Sequence, residues 1–210
     1  MKIINAGYDM EYFDPERDVA RIAKAARICY QSPELTTYKQ QCDFISRVLM
    51  NPELKHPHHS PLEHSSLSVV FTTNRGTSHE LVRHRLMSPN QESSRYCRYI
   101  NQRFTHNVAF IEDFKFKNAD DYDEWLDDCA DCERRYFRRL ERGHSTDEAR
   151  GVLNNDVKTQ IMMTTNYREW RHILDLRSAE DCHYQMREVI VPLLDELARE
   201  LPCIFGDITY

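Results

Sequence analysis

Apolar residues recur at helical spacing over residues 15–29 (PERDVARIAKAARIC), with acids early and bases late, as the helix dipole favours. The same reading predicts helices over 38–50, 78–86, 120–142, 167–177 and 180–201, that at 120–142 passing from strongly acidic to strongly basic. β-Branched residues and alternation predict strands over 66–72 (SLSVVFT) and 157–164 (VKTQIMMT), a short strand over 2–7, and one or two strands within 96–111. Pro89 ends the helix of 78–86 and leaves 90–95 as a loop. The prolines and histidines of HPHHSPLEH, residues 56–64, suit no regular element and predict a loop. Ser145-Thr-Asp-Glu148 has the form of a capping box for a helix carrying Ala149 and Arg150. No repeat, low-complexity tract or linker interrupts the chain. The pattern predicts one α+β domain over residues 1–210, with helices dominant.

Composition narrows the class. The chain has 28 basic and 34 acidic residues, a net charge of −6, which argues against nucleic acid as a partner. No apolar run approaches the length that spans a membrane. The segment MKIINAGYDMEYF lacks the apolar centre of a signal peptide, so a cytoplasmic location is expected. Seven cysteines, an odd number at scattered spacings, fit a reducing compartment better than a disulfide framework. Cys129 and Cys132 form a CxxC without a second one to complete a zinc site, and read as ordinary helix cysteines.

The candidate chemistry centres on RHRLMSPNQESSRY, residues 83–96, a basic, hydroxyl-rich stretch in an acidic protein. Such a stretch points to an anion site. The chain holds five glycines, none in a GxGxxG or Walker loop, so a phosphate would have to be held by arginine. Arg83, Arg85, Arg95, Arg150 and Arg177 are the candidates; each taken singly also reads as an exposed, ion-paired side chain. Arg83 and Arg85 would close the helix before Pro89, and Ser88, Asn90, Gln91, Ser93 and Ser94 would offer amides and hydroxyls to a base and a phosphate. Asn166 and Arg177, eleven residues apart, would share a helix face about three turns long. His56, His58, His59, His64 and Glu63 raise a zinc reading, but their spacing matches no HExxH site, and a pocket-lining or solvated loop is preferred. Ser93 lacks the GxSxG elbow of a nucleophile, and Cys97 lies beyond the arginine cluster. Rival readings are a non-catalytic nucleotide- or RNA-binding protein and a zinc hydrolase.

The spacing Arg83-His84-Arg85, seven residues, Ser93 resembles the RHR-x7-S signature of flavin-dependent thymidylate synthases. The resemblance extends to His58-His-Ser-Pro61-Leu-Glu-His64, Glu148-Ala-Arg150-Gly-Val-Leu153, Asn166-Tyr-Arg168, His172, Leu176-Arg177 and Ala25-Ala-Arg27-Ile-Cys-Tyr30, in family order from about residue 25 to 205. It implies an α+β fold: a single compact domain with a mixed or antiparallel sheet flanked by helices, assembled as a homotetramer with active sites at subunit interfaces. The implied reaction is reductive methylation of dUMP to dTMP, with methylenetetrahydrofolate as carbon donor, FAD as hydride carrier and NADPH as reductant. No cysteine nucleophile and no metal are required. Implied flavin contacts are Ser60, Arg83, His84, Arg85, Gln91, Asn166, Tyr167, Arg168 and His172, with His58 near flavin and folate. Implied substrate contacts are Glu80, Leu81, Val82, Arg83, Gln91, Glu92, Ser93, Ser94, Arg95 and Arg150, with Arg177 at the pyrimidine as the catalytic residue. The family usually has Gln at the position of Glu80. A carboxylate there can accept from cytosine's exocyclic amine, so dCMP methylation or hydroxymethylation is the same-fold alternative.

Overall fold

A computed structural model describes residues 1–51, 53, 55, 58–99 and 106–210. His56 and Pro57 of the histidine-rich segment, and residues 100–105 within the predicted strand region 96–111, lie outside the described residues. In chain order the elements are β1 (Lys2–Ile4), β2 (Gly7–Glu11), α1 (Pro15–Tyr30), α2 (Tyr38–Val48), β3 (Ser66–Asn74), α3 (Arg75–Leu81), β4 (Ser88–Gln91), β5 (Ala109–Ile111), α4 (Ala119–Glu141), α5 (Thr146–Ala149), β6 (Lys158–Asn166), α6 (Tyr167–Ser178), α7 (Tyr184–Glu200) and α8 (Pro202–Phe205). Short 3-10 turns cover Ser60–His64 and Arg150–Val152.

Helices and sheets combine as the α+β reading expects, but among the described residues the strands form two sheets. β1 and β5 pair in parallel, and a four-stranded sheet has the order β2-β3-β6-β4. The chain forms two units. One comprises Met1–Gly7, Phe71–Arg83 and Asn90–Met162; the other comprises Tyr8–Val70, His84–Pro89 and Met163–Tyr210. Strands β3, β4 and β6 run from one into the other, and the boundary divides the motif between Arg83 and His84.

In the first unit the core gathers Val108, Phe110, Cys129, Tyr136, Leu140 and Val157, all buried. Helix α4 supplies three of these from one face, as its amphipathic pattern predicts. In the second unit, α1 buries Val19, Ile22 and Ala26, α6 buries Trp170, Ile173 and Leu174, and α7 buries Val189, Ile190, Leu193 and Leu197. Their i, i+3, i+4 spacing puts these side chains on single stripes.

Helix starts follow local chemistry. Asp14 caps α1 by accepting from the Arg17 N–H, and Ser145 and Glu148 form the expected capping box. β3 and β6 both end in Thr-Thr-Asn, and each Asn caps the helix that follows: Asn74 accepts from Thr77 at 2.7 Å, and Asn166 from Glu169 at 2.9 Å.

The structure corrects several expectations. The single strand of 2–7 is two strands, and β2 escaped the pattern. The helix expected at 78–86 runs over Arg75–Leu81: the Asn74 cap starts it early, and it ends before the RHR motif. Arg83 and Arg85 therefore do not close a helix, although the Arg83 N–H bonds the Glu80 carbonyl at 3.1 Å in the turn that follows it. Pro89 lies within strand β4. β4 ends the sheet order, where a missing N–H leaves no ladder bond unmade. Residues 60–64 of the expected loop form a 3-10 turn.

One polar stitch crosses the second unit's core. Asp18 on α1 and Tyr167 on α6 are both buried, and the tyrosine hydroxyl donates to Asp18 Oδ2 at 2.7 Å. Burial, then this bond, pushes the Tyr167 pKa up. Arg17 donates to the other carboxylate oxygen at 3.3 Å. Removing one partner of a buried hydrogen bond to a charged group costs about 1–3 kcal/mol. Tyr167→Phe is expected to destabilise the fold by that amount in urea unfolding without changing its far-UV spectrum. A loss under about 0.5 kcal/mol, the range of ordinary surface changes, would show that the stitch is not structural.

Candidate functional site

Past the end of α3, the RHR motif alternates in exposure: Arg83 and Arg85 face solvent and His84 is buried. His84 meets the last turn of α6, where Arg177 Nε–H donates to His84 Nε2 at 3.0 Å. An imidazole that accepts this bond must be neutral at that nitrogen. Burial, the Arg177 charge and His172 together push the His84 pKa down to about 4. The His172 ring stands edge-on to His84, centroids 6.4 Å apart. Among the described residues His84, Glu169 and His172 are grouped closely enough to hold a metal ion. A neutral imidazole has one lone pair, however, and His84 uses it on Arg177, so a cation would have to break that bond beside a guanidinium. The histidines of 58–64 form no such group among the described residues.

The second unit carries a polar cavity of about 660 Å³ beside this contact. The expected contacts Asn166, Arg168 and His172 line it, together with His59, Glu63, Leu86, Glu169, Arg171, Asp175 and Asp207. Asn166 uses its side-chain oxygen to cap α6, which leaves the amide N–H groups as donors. Arg168 pairs with Glu63 at 2.5 Å, both side chains about half exposed. Arg171 holds Asp207 through both carboxylate oxygens, at 2.6 and 2.8 Å, and also bonds the Ile204 carbonyl. Burial and these two guanidinium groups push the His59 pKa below its ordinary value. Ser60 and His58 are exposed and do not line the cavity; His59, between them, does. Tyr167 does not line the cavity: its side chain is fully buried, its hydroxyl on Asp18.

The first unit carries a smaller cavity of about 230 Å³ where loop 93–97 meets the turn at Arg150. Arg150 donates to Ser94 Oγ at 3.2 Å across 56 positions of sequence. Arg75, His79, Asn154 and Asn155 share the lining. Ser93 shapes the loop: its carbonyl accepts from the Tyr96 and Cys97 N–H groups, and its hydroxyl from the Arg95 N–H. Arg95 reaches Asp147 at 3.0 Å and lies over the Tyr96 ring.

Three residues named as substrate contacts have side chains that turn inward. Gln91 donates to Ser78 and Thr159 hydroxyls, Glu92 takes the Lys158 ammonium at 2.7 Å, and Leu81 is fully buried. Their side chains hold the unit together. Glu80 is half-buried in the last turn of α3 and Val82 exposed just beyond it.

Arg75, His79 and Arg171, which line the two cavities, were missed in the sequence, whereas His59 belongs to the histidine cluster it marked. Arg75 and Arg168 stand one and two residues after the two Thr-Thr-Asn strand ends, so the doubled motif was the available signal. Arg171 carried none, because its role depends on the distant residues 204 and 207. The cysteines are all free thiols. Cys129 is a core side chain whose thiol burial pushes up to about 12, so it is protonated at neutral pH.

Comparison with known proteins bears on family and fold. The family model for thymidylate synthase complementing proteins matches residues 11–203. A flavin-dependent thymidylate synthase of Geobacter sulfurreducens is 31% identical over 196 residues, covering 92% of this chain and 82% of that protein. One from Thermococcus onnurineus is 34% identical over 147 residues, 70% of this chain and 60% of that protein. The crystal structure of the UMP/dUMP methylase PolB from Streptomyces cacaoi, bound with 5-Br dUMP, superposes with a TM-score of 0.77. It covers 98% of this chain and 96% of that one at 19% identity, a likeness of fold.

The His84 environment makes a pH prediction. Its folded-state pKa lies below the ordinary 6.5, so between about pH 6.5 and 4 the unfolded chain binds a proton that the folded chain does not. Its contribution to stability therefore declines as pH falls through that window. In an NMR titration His84 is expected to titrate near pH 4, and Arg177→Gln to raise that value without restoring 6.5, because burial remains the larger cause. Titration near 6.5 in the unaltered protein would contradict the buried, arginine-bonded imidazole.

Proposed function

Because the chain belongs to the family of thymidylate synthase complementing proteins, we propose that it is a flavin-dependent thymidylate synthase that methylates dUMP at C5 to give dTMP. Methylenetetrahydrofolate is the carbon donor, NADPH the reductant and FAD the bound cofactor; the working assembly is a cytoplasmic homotetramer whose sites are completed between subunits. The single observation that carries this reading is the clustering of motif residues around two polar cavities, Asn166, Arg168 and His172 about one and Ser94 and Arg150 about the other.

The donor chemistry of the larger cavity suits a flavin nucleotide. Guanidinium groups match a pyrophosphate bidentately. Arg168 can change partner at low cost, since an exposed ion pair such as its bond to Glu63 is worth about 0–1 kcal/mol. When bound, the flavin supplies the hydride that completes the methyl group. His84, kept neutral, can donate only through Nδ1–H, and so offers one oriented hydrogen bond rather than a charge. Arg83 and Arg85 flank it as exposed cations for the ligands' anionic groups.

In the smaller cavity Arg150 and the Ser94 hydroxyl are assigned to the nucleotide phosphate, with Ser93 and Arg95 alongside. Arg177 is assigned to the pyrimidine. A fixed positive charge there favours ionisation at N3 and makes C5 more nucleophilic. No thiol takes part.

Purified protein is expected to be yellow with bound FAD, and light scattering to give a mass near four subunits. Arg150→Ala is expected to weaken dUMP binding about ten- to a hundredfold, the value of one charge-assisted hydrogen bond, and deoxyuridine to bind as poorly to the unaltered protein. Calorimetry showing equal affinity for dUMP and deoxyuridine would remove the phosphate assignment. Failure to bind added FAD would remove the whole reading.

A further inference from the structure

Helices α2 and α8 bring two thiols together outside the chemistry proposed above. The Cys203 thiol donates to Cys42 Sγ at 2.8 Å, although 161 positions separate the residues. Two sulfurs that are not bonded ordinarily stand well beyond this distance, and the covalent bond needs about 2.05 Å. Both cysteines are free. The pair is held in place from one side by Tyr38, one helical turn before Cys42, whose hydroxyl donates to the Glu200 carbonyl at the end of α7. Cys203 is buried, yet it opens on a surface hollow with Asp43, Arg47 and Met50; Cys42 is half-buried on α2.

We propose that Cys42 and Cys203 are a redox-active dithiol that closes to an intramolecular disulfide on meeting a small-molecule disulfide. Cys42, the less buried residue of the two, loses its proton to solvent and attacks one sulfur of the oxidant RSSR. The S–S bond of the oxidant breaks, RS⁻ leaves, and Cys42 carries a mixed disulfide. Cys203 then gives up its proton and attacks the Cys42 sulfur, which breaks the mixed bond and releases the second RS⁻. In sum two protein thiols and RSSR become one protein disulfide and two RSH: the protein is oxidised by two electrons and the small disulfide reduced by two. Burial holds the Cys203 pKa high, which fits its acting second, on a sulfur already in contact.

The bond would act on the larger cavity through the chain. Cys203 lies in α8, and the segment that follows carries Asp207, which Arg171 grips through both oxygens. Fixing α8 to α2 fixes that wall. In a reducing compartment the open dithiol is the resting state.

The test uses the full chain with its cofactor as purified, reduced and then incubated with oxidised glutathione. The expected result is loss of two of the seven thiols with no glutathione retained, a peptide map joining Cys42 to Cys203, and reversal by dithiothreitol. The melting temperature should rise by roughly 5–15 °C, as closure of a long loop implies. Amide exchange at Gly206 and Ile208 should slow. Cys42→Ser should abolish all of these, whereas Cys29→Ser should leave the link intact. Seven alkylatable thiols after oxidation, glutathione still attached at Cys42, or a link through other cysteines would each overturn the proposal. The peptide map of the unaltered protein decides the matter even where a variant folds poorly.

Discussion

A guanidinium donating to a neutral imidazole, Arg177 to His84, is the contact on which the arrangement of the second unit's site depends. It joins the last turn of α6 to a turn that has no regular structure of its own. It also explains why His84 is buried between two exposed arginines: the central side chain of the motif is an anchor, and its neighbours are left outward as charges. The bond exists only while His84 is unprotonated, and burial enforces that state. The same lone pair cannot serve a metal. His84 thus offers the site an oriented hydrogen bond beside the fixed positive charge of Arg177.

With five glycines in the chain, the proposed anion site falls to arginines, and each must be kept in place before a ligand arrives. The structure does this with pairings of graded strength. Arg171 has few alternatives: it holds a carboxylate through two bonds and a backbone carbonyl as well. Arg168 and Arg95 rest on exposed carboxylates, contacts weak enough to exchange for a phosphate. The Arg150 guanidinium donates to a serine hydroxyl, a neutral partner. The arginines best placed for a ligand are thus those whose present partners cost least to leave.

Much of this was legible in the sequence where local physics decides. The amphipathic stripes of α1 and α4, the capping box at Ser145 and the alternation of β3 and β6 lie where the pattern put them. Ser94, just past the RHR-x7-S spacing, and Arg150 do meet. What failed had non-local causes. Pro89 breaks a helix in isolation, but at a sheet edge it sits in a strand. Asn74 started α3 three residues early, so the helix ended before the motif it was thought to carry. Tyr167 sits between two cavity residues in sequence, Asn166 and Arg168, yet its partner is Asp18, 149 positions away. Gln91 and Glu92 find their partners in Ser78, Thr159 and Lys158, which no local pattern reveals.

The most direct measurement of the central claim is product identity. The flavin-loaded protein, reduced by NADPH, is incubated with methylenetetrahydrofolate and either dUMP or dCMP, and the nucleotide product is identified by mass. The account predicts dTMP from dUMP and unchanged dCMP. Methylated or hydroxymethylated dCMP, with dUMP untouched, would contradict it and assign Glu80 to the recognition of cytosine.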